Sequence, residues 1–203
     1  MAGRAAGSSR ERRRRKLPWF ALAAFCLAAD LWTKHLVFYP AVLEESRPEG
    51  LVVHRVASWW RIVIAYNEGV TFGMLDEAGA WVLALFTAAV IVLLGVMLWR
   101  ADRRDRLRCL ALSMIIGGAV GNLYDRALRP LVEPDTRPGV RDFLDWYVPD
   151  DTALAGWLRA RGVHTHWYTS NVADVLIVSG VILLAWRILR ERPAAPEPEA
   201  AAA

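Results

Sequence analysis

A chain of 203 residues that is 55% hydrophobic, with a mean hydropathy of +0.24, is too apolar for an ordinary soluble domain of this length. Its apolar residues stand in long blocks rather than at a helical or strand period, which indicates an integral membrane protein built as one domain. The net charge of +4 does not argue for a nucleic-acid partner, because the basic residues cluster beside the apolar blocks, where the positive-inside rule places them.

Residues 1–16 form a polar tail ending in the basic run Arg12–Lys16, and disorder and a cytosolic location are expected for it. The first apolar block, residues 17–39, follows directly. A cleavage site after Ala29 would place Leu27 at the −3 position, where a small residue is needed, so the block reads as an uncleaved helix. Cys26 lies inside it and Cys109 at the edge of the third block. Neither belongs to a CxxC pair, and both read as small buried hydrophobes.

Residues 40–78 form a long loop whose β-branched and aromatic runs predict short strands, a small sheet on the membrane surface. Trp59 and Trp60 there fit an interfacial aromatic belt. Residues 79–99 carry no charge and are long enough to cross the ~30 Å hydrocarbon core. The next segment, 100–108, is short and arginine-rich, hence cytosolic. A third span is predicted over 107–124. Residues 127–170 form a second polar loop, part of which could be an amphipathic interfacial helix. A fourth span covers 171–189, and residues 191–203 read as a disordered Pro/Ala/Glu-rich cytosolic tail. The fold class is therefore a mainly α membrane protein: four transmembrane helices, a small extracytosolic sheet and an interfacial loop or helix. Both termini are inside and the membrane domain spans 17–190.

Charged side chains inside spans cost ~2.5–3.5 kcal/mol each on insertion scales, so they are candidate functional groups. Asp30 and Lys34 stand at i and i+4 and would share a helix face, as an internal ion pair or as site residues. Asn122, Asp125 and Arg126 stand at i, i+3 and i+4 after Gly117, Gly118 and Gly121. They form either a packing face with a hydrogen-bonded cap or one wall of a site. Asn171 and Asp174 have the spacing of a capping box. Asp142 and Asp145 would share a face on a helix and diverge on a strand. His164 and His166 could hold a metal on a strand, but no second ligand pair accompanies them. No nucleophilic serine or cysteine stands beside a base. The chemistry this set supports is that of two carboxylates held close, one protonated and the other activating water.

Five segments, "DLWTK", "YNEGVTFG", "GGAVGNLYDR", "VRDFLDWY" and "SNVADV", resemble in order and spacing the motifs of lipoprotein signal peptidase, or signal peptidase II. The resemblance covers residues 17–190 and implies an intramembrane aspartic endopeptidase with four spans in the bacterial inner membrane. It implies a site near the extracytosolic face, without metal or other cofactor. The substrates would be diacylglyceryl-modified prolipoproteins, cut just before the lipidated cysteine. Other expected partners are membrane lipids, with a monomeric state and no nucleic acid. Carried over, the catalytic pair is Asp142 and Asp174. Asp125 resembles a supporting carboxylate, in a network with Arg126. Asn122, Arg126, Asn171, Asp30 and Lys34 support the site, and Asn67 and Gly69 meet substrate.

Val70-Thr71 and Ser170 depart from the family's usual Ala-Ala or Ala-Ser and aromatic residues, and the segments between Arg126 and Asp142 and between Asp145 and Asn171 are longer. The competing class is a non-enzymatic membrane protein, a transporter subunit or assembly factor, using the same polar groups for packing or proton relay.

Overall fold

The computed structural model describes residues 2–43, 52–67, 77–133 and 139–190. In chain order the elements are α1 (Ala2–Leu43), β1 (Val52–Ala57), β2 (Trp60–Asn67), α2 (Glu77–Arg100) and α3 (Arg106–Leu123). A π-helical turn (Tyr124–Leu128) leads into α4 (Arg129–Val132), followed by β3 (Val140–Tyr147), α5 (Ala153–Arg159), β4 (His166–Ser170) and α6 (Val172–Leu189). Four stretches are long and apolar enough to cross a membrane: Lys16–Tyr39, Trp81–Arg100, Arg106–Val132 and Val172–Leu189. The described residues thus form a mainly helical membrane protein with one small sheet.

The third span is the hub. In its most apolar stretch 61% of the residues are buried against the rest of the protein, while in the second and fourth spans the share is 11% and apolar side chains such as Leu85, Phe86 and Ile182 turn outward. Lipid is as apolar as leucine, so close helix packing there depends on small residues. The glycines of α3 supply them. A Cβ on Gly117 would stand 2.5 Å from the Cβ of Cys26, and one on Gly118 would stand 2.5 Å from the carbonyl of Ala173. One face of α3 thereby admits the backbone of α1 and the other that of α6.

Polar ties fasten the end opposite the sheet. Asp105 caps α3 by accepting the Arg108 amide, and its other oxygen pairs with Arg187 of α6 at 2.7 Å. Lys16 donates to the carbonyl of Ala101.

The third span outlasts its expected end at residue 124. Pro130 has no N–H for the carbonyl of Arg126, and its ring crowds that carbonyl. The preceding turn widens to π geometry, and the helix continues to Val132. The basic tail also differs from expectation, because α1 runs from Ala2 without a break. Alanine, arginine and glutamate are good helix formers, and extending an existing helix needs no new nucleus.

The strands form an antiparallel meander in the order β1-β2-β3-β4. β1 and β2 fall where the first loop's pattern predicts strands, whereas "VRDFLDWY", which allowed helix or strand, is β3. Along β3, Asp142, Leu144 and Trp146 therefore alternate with Phe143, Asp145 and Tyr147. Asp145 bonds Arg61 across the sheet at 2.6 Å, and Arg61 lies over the Tyr147 ring. On the Asp142 face, Trp146 stacks on Trp60 at 5.3 Å and on Trp59 at 5.5 Å. Phe38 of α1 packs with Ile64 and Phe143, joining the sheet to the helices.

Candidate active site

Two clusters of buried polar groups meet where α1, α3, α6 and the sheet converge. The first centres on Lys34, buried completely. Its ammonium donates to Asp30 Oδ2 at 2.8 Å and to Asn122 Oδ1 at 3.2 Å, and pairs with Asp125 Oδ2 at 2.9 Å. Asp30 Oδ1 accepts the backbone N–H of Ala173 at 2.9 Å, which ties α1 to the first turn of α6. A Cβ on Gly121 would fall 2.2 Å from Asp30 Oδ2, so α3 must be bare at that point for this carboxylate to fit.

Asp125 is held on its other side by Arg141, whose Nη2 is 2.7 Å from Oδ1 and whose backbone N–H lies 3.2 Å from Oδ2. Arg129, one turn on, stands 3.7 Å from the same Oδ1 and donates to the carbonyl of Gly139. Burying these ions is tolerable only because each finds partners.

The second cluster holds Asp142 and Asp174. Asn171 links them. Its Nδ2 donates to Asp142 Oδ1 at 2.7 Å and to Asn122 Oδ1 at 3.1 Å. Its backbone N–H lies 3.2 Å from Asp174 Oδ2, and its own Oδ1 accepts the Asp174 N–H at 3.0 Å. The reciprocal pair is a capping box, so the start of α6 sets the rotamers of both residues. Asn122 donates to Asp174 Oδ1 at 2.9 Å, and Asn67 at the end of β2 donates to Asp142 Oδ2 at 3.0 Å. Among the described residues, no lysine or arginine lies within ion-pair distance of Asp142 or Asp174. Burial pushes the Asp142 carboxyl up to about 6, opposed by the hydrogen bond from Asn67 and reinforced by the negative charge of Asp174.

Of the residues singled out in the sequence, Asp30, Lys34, Asn67, Asn122, Asp125, Asp142, Asn171 and Asp174 converge in one network. Gly69, Val70 and Thr71 lie outside the described residues. Arg126 does not join Asp125 as expected. Successive helical residues do not face one another, and Asp125 is filled by Lys34, Arg129 and Arg141. The Nε of Arg126 is buried without a partner among the described residues, and its charge is felt at Tyr168.

His164 is exposed before β4, and His166 stacks on Tyr147, 3.5 Å from Asp145. Among the described residues, no three His, Cys, Asp or Glu side chains gather to hold a metal.

Sequence reading missed Arg129, Arg141 and Tyr168. The i, i+4 spacing of Asp125 and Arg129 was a usable signal for the first. Nothing local marks the other two, since Arg141 meets Asp125 from a strand and Tyr168 reaches Asp174 from a different element.

A multi-pass membrane protein with an amide-tethered pair of carboxylates at one end of its helices is the class defined so far. The sequence profile of "Signal peptidase (SPase) II" matches residues 22–190, and the chain belongs to that family. It is 34% identical over 177 residues to the lipoprotein signal peptidase of Solibacter usitatus, covering 85% of this chain and 91% of that one. It is 34% identical to that of Cupriavidus necator, over 83% of this chain and 81% of the relative. A bacterial membrane enzyme solved in meso at 1.9 Å shares the fold with a TM-score of 0.62 at 19% identity, over 86% of this chain and 94% of that one. A second such structure, at 2.3 Å, gives 0.63 at 20% identity, over 90% and 93%.

Proposed function

We propose that this protein removes the signal peptides of diacylglyceryl-modified prolipoproteins, cutting before the lipidated cysteine, with Asp142 and Asp174 as the water-activating pair. The observation that carries the reading is the contrast in partners. These two carboxylates are tethered to one asparagine and, among the described residues, touch only neutral donors, so a proton can come and go. Asp125 is instead paired with Lys34 and Arg141, and serves as a structural tie.

With one proton on the pair, the protonated carboxyl polarises the scissile carbonyl. The ionised carboxylate takes a proton from the attacking water. When the tetrahedral adduct collapses, the proton gained from water passes to the leaving amine, and the pair is left with one proton again. The raised Asp142 carboxyl makes it the proton-bearing partner. Asn122, Asn171 and Asn67 hold both carboxylates in place. Asp30, Lys34 and Asp125 hold the asparagines' scaffold, and in this reading Arg126 supports the site and Asn67 and Gly69 meet substrate.

The arginine-rich segments support a reading with both termini in the cytosol and the sheet outside the bacterial inner membrane, the enzyme working as a monomer among lipids. Arg55→Cys, on exposed β1, should then label from outside intact cells.

The deciding experiment is cleavage of a diacylated prolipoprotein by the purified protein in nanodiscs, with the unlipidated precursor as control. Release of the signal peptide only from the lipidated form supports the reading. Wild-type cleavage by Asp142→Asn would make that carboxylate a packing group and overturn the aspartate pair, whereas no cleavage of either precursor would return the protein to the non-enzymatic class.

A further inference from the structure

Tyr168 is a polar group at the mouth of the site that this mechanism leaves unused. It stands on β4, its side chain 50% exposed, with its hydroxyl 3.5 Å from Asp174 Oδ2. The two oxygens of Asp174 are not equivalent. Oδ1 faces inward and is occupied by the Asn122 amide, whereas Oδ2 meets the Asn171 N–H and the open side from which Tyr168 approaches. A catalytic hydrogen bond that is long in the free enzyme commonly tightens when substrate closes the site.

Partial burial, with the nearby charges of Asp174 and Asp142, pushes the Tyr168 phenol up to about 12, against the pull of Arg126. The hydroxyl therefore keeps its proton throughout the working range and can act only as a donor to a carboxylate. A half-exposed ring contributes little packing, so the hydroxyl is the functional part of the side chain.

The geometry points to Tyr168 as a positioning residue of the aspartate pair: its hydroxyl donates to Asp174 Oδ2 and holds that oxygen as the ionised acceptor while the shared proton stays on Asp142. This rests on the aspartate-pair reading and assigns the two carboxylates different roles within it. The other groups meeting Asp174 are Asn122 from α3 and Asn171 at the start of α6, with the charge of Asp142 from β3 nearby and Arg126 of the π turn acting on Tyr168 itself. Lys34 of α1 acts through Asn122, with Asp30 and Asp125 beyond it.

The test is the pH dependence of kcat/KM for a diacylated prolipoprotein in nanodiscs, with Tyr168→Phe against wild type. Removing a donor from the ionised carboxylate should move the acid limb up by about half to one pH unit and cut the plateau roughly three- to ten-fold. KM should stay nearly unchanged. Placing 3-fluorotyrosine at 168, a stronger donor of the same shape, should move that limb the opposite way, and it supplies the answer if Tyr168→Phe folds poorly. Limbs that overlay wild type in both proteins would overturn the proposal, whatever the rate. So would a raised KM with unmoved limbs, which would make Tyr168 a substrate contact. Asp142→Asn and Asp174→Asn run in parallel separate the failures. If they abolish cleavage while the Tyr168 profiles overlay wild type, only the role of Tyr168 falls. If they cleave as wild type does, the aspartate pair falls and the Tyr168 role with it.

Discussion

Asp125 and Asp142 are both buried, both sit beside the same helix ends, and have opposite surroundings. Asp125 is surrounded by Lys34, Arg129 and Arg141 at 2.9, 3.7 and 2.7 Å. Asp142 receives two amides, from Asn67 and Asn171 at 3.0 and 2.7 Å, and no cation among the described residues. A carboxylate ringed by ion-pair partners ties elements together, and its worth is structural. A carboxylate among amides is fixed in place but not in charge. The difference separates a cation-held carboxylate from the amide-held one proposed to exchange protons, and it can be broken experimentally from both sides.

The largest effect belongs to the amide-held pair. Asp142→Asn and Asp174→Asn should each lower cleavage by ~10²–10⁴-fold or more, the scale of lost acid–base catalysis, while the protein still inserts and folds. Single-turnover cleavage of lipidated precursor, beside size-exclusion profiles, measures both. If instead Asp125→Asn gave the greater loss per folded molecule, the comparison would be reversed.

Second in size is the cation-held cluster. Lys34→Met leaves Asp30 without its ion-pair partner and strips Asp125 of one cation. Breaking a buried pair costs about 3–5 kcal/mol, so a large fall in Tm and in yield is expected. Gly121→Ala should weaken the same cluster by driving a methyl group into Asp30. A Lys34→Met protein as heat-stable as wild type would show that the cluster is not structural.

Next comes pH. The folded enzyme holds the Asp142 proton up to about pH 6, whereas an unfolded aspartate releases it near ~3.9. The stability contributed by that proton is fully present below ~3.9 and is lost as pH rises through 6, because the native state binds more protons in that window. The Tm of wild type should therefore fall across it, and this component should be missing from Asp142→Asn. The rate should be bell-shaped, with its two midpoints belonging to the pair. A rate that rises once and stays flat in intact enzyme would count against a shared proton.

The smallest effect tests the far end of the bundle. Asp105→Ala removes the α3 cap and the Arg187 pair, and should cost about 1 kcal/mol of stability with kcat unchanged. Loss of activity there would mean that the two ends are coupled.

Much of this was legible along the chain. Long apolar blocks force helices, since a backbone in lipid must satisfy its own hydrogen bonds. Polar residues inside those blocks are expensive enough to mark Asp30, Lys34, Asn122 and Asp125 without a structure. The Asn171–Asp174 cap is local, and spacing reveals it. The pairing of Asp125 was not legible, because the π turn before Pro130 redirects it and one of its partners, Arg141, comes from a strand. The separation of Asp142 from Asp145 needed β3 to be a strand, which short mixed runs leave open. The reach of Tyr168 to Asp174 needed β4 to lead into the first turn of α6 through the Asn171 cap. By itself, then, the sequence determined the four spans and which residues are costly to bury, because both follow from local composition against lipid. Only the tertiary structure decided which carboxylate meets cations and which meets amides, because those partners come from five elements, α1, β2, α4, β3 and the cap of α6, most of them far apart in the chain.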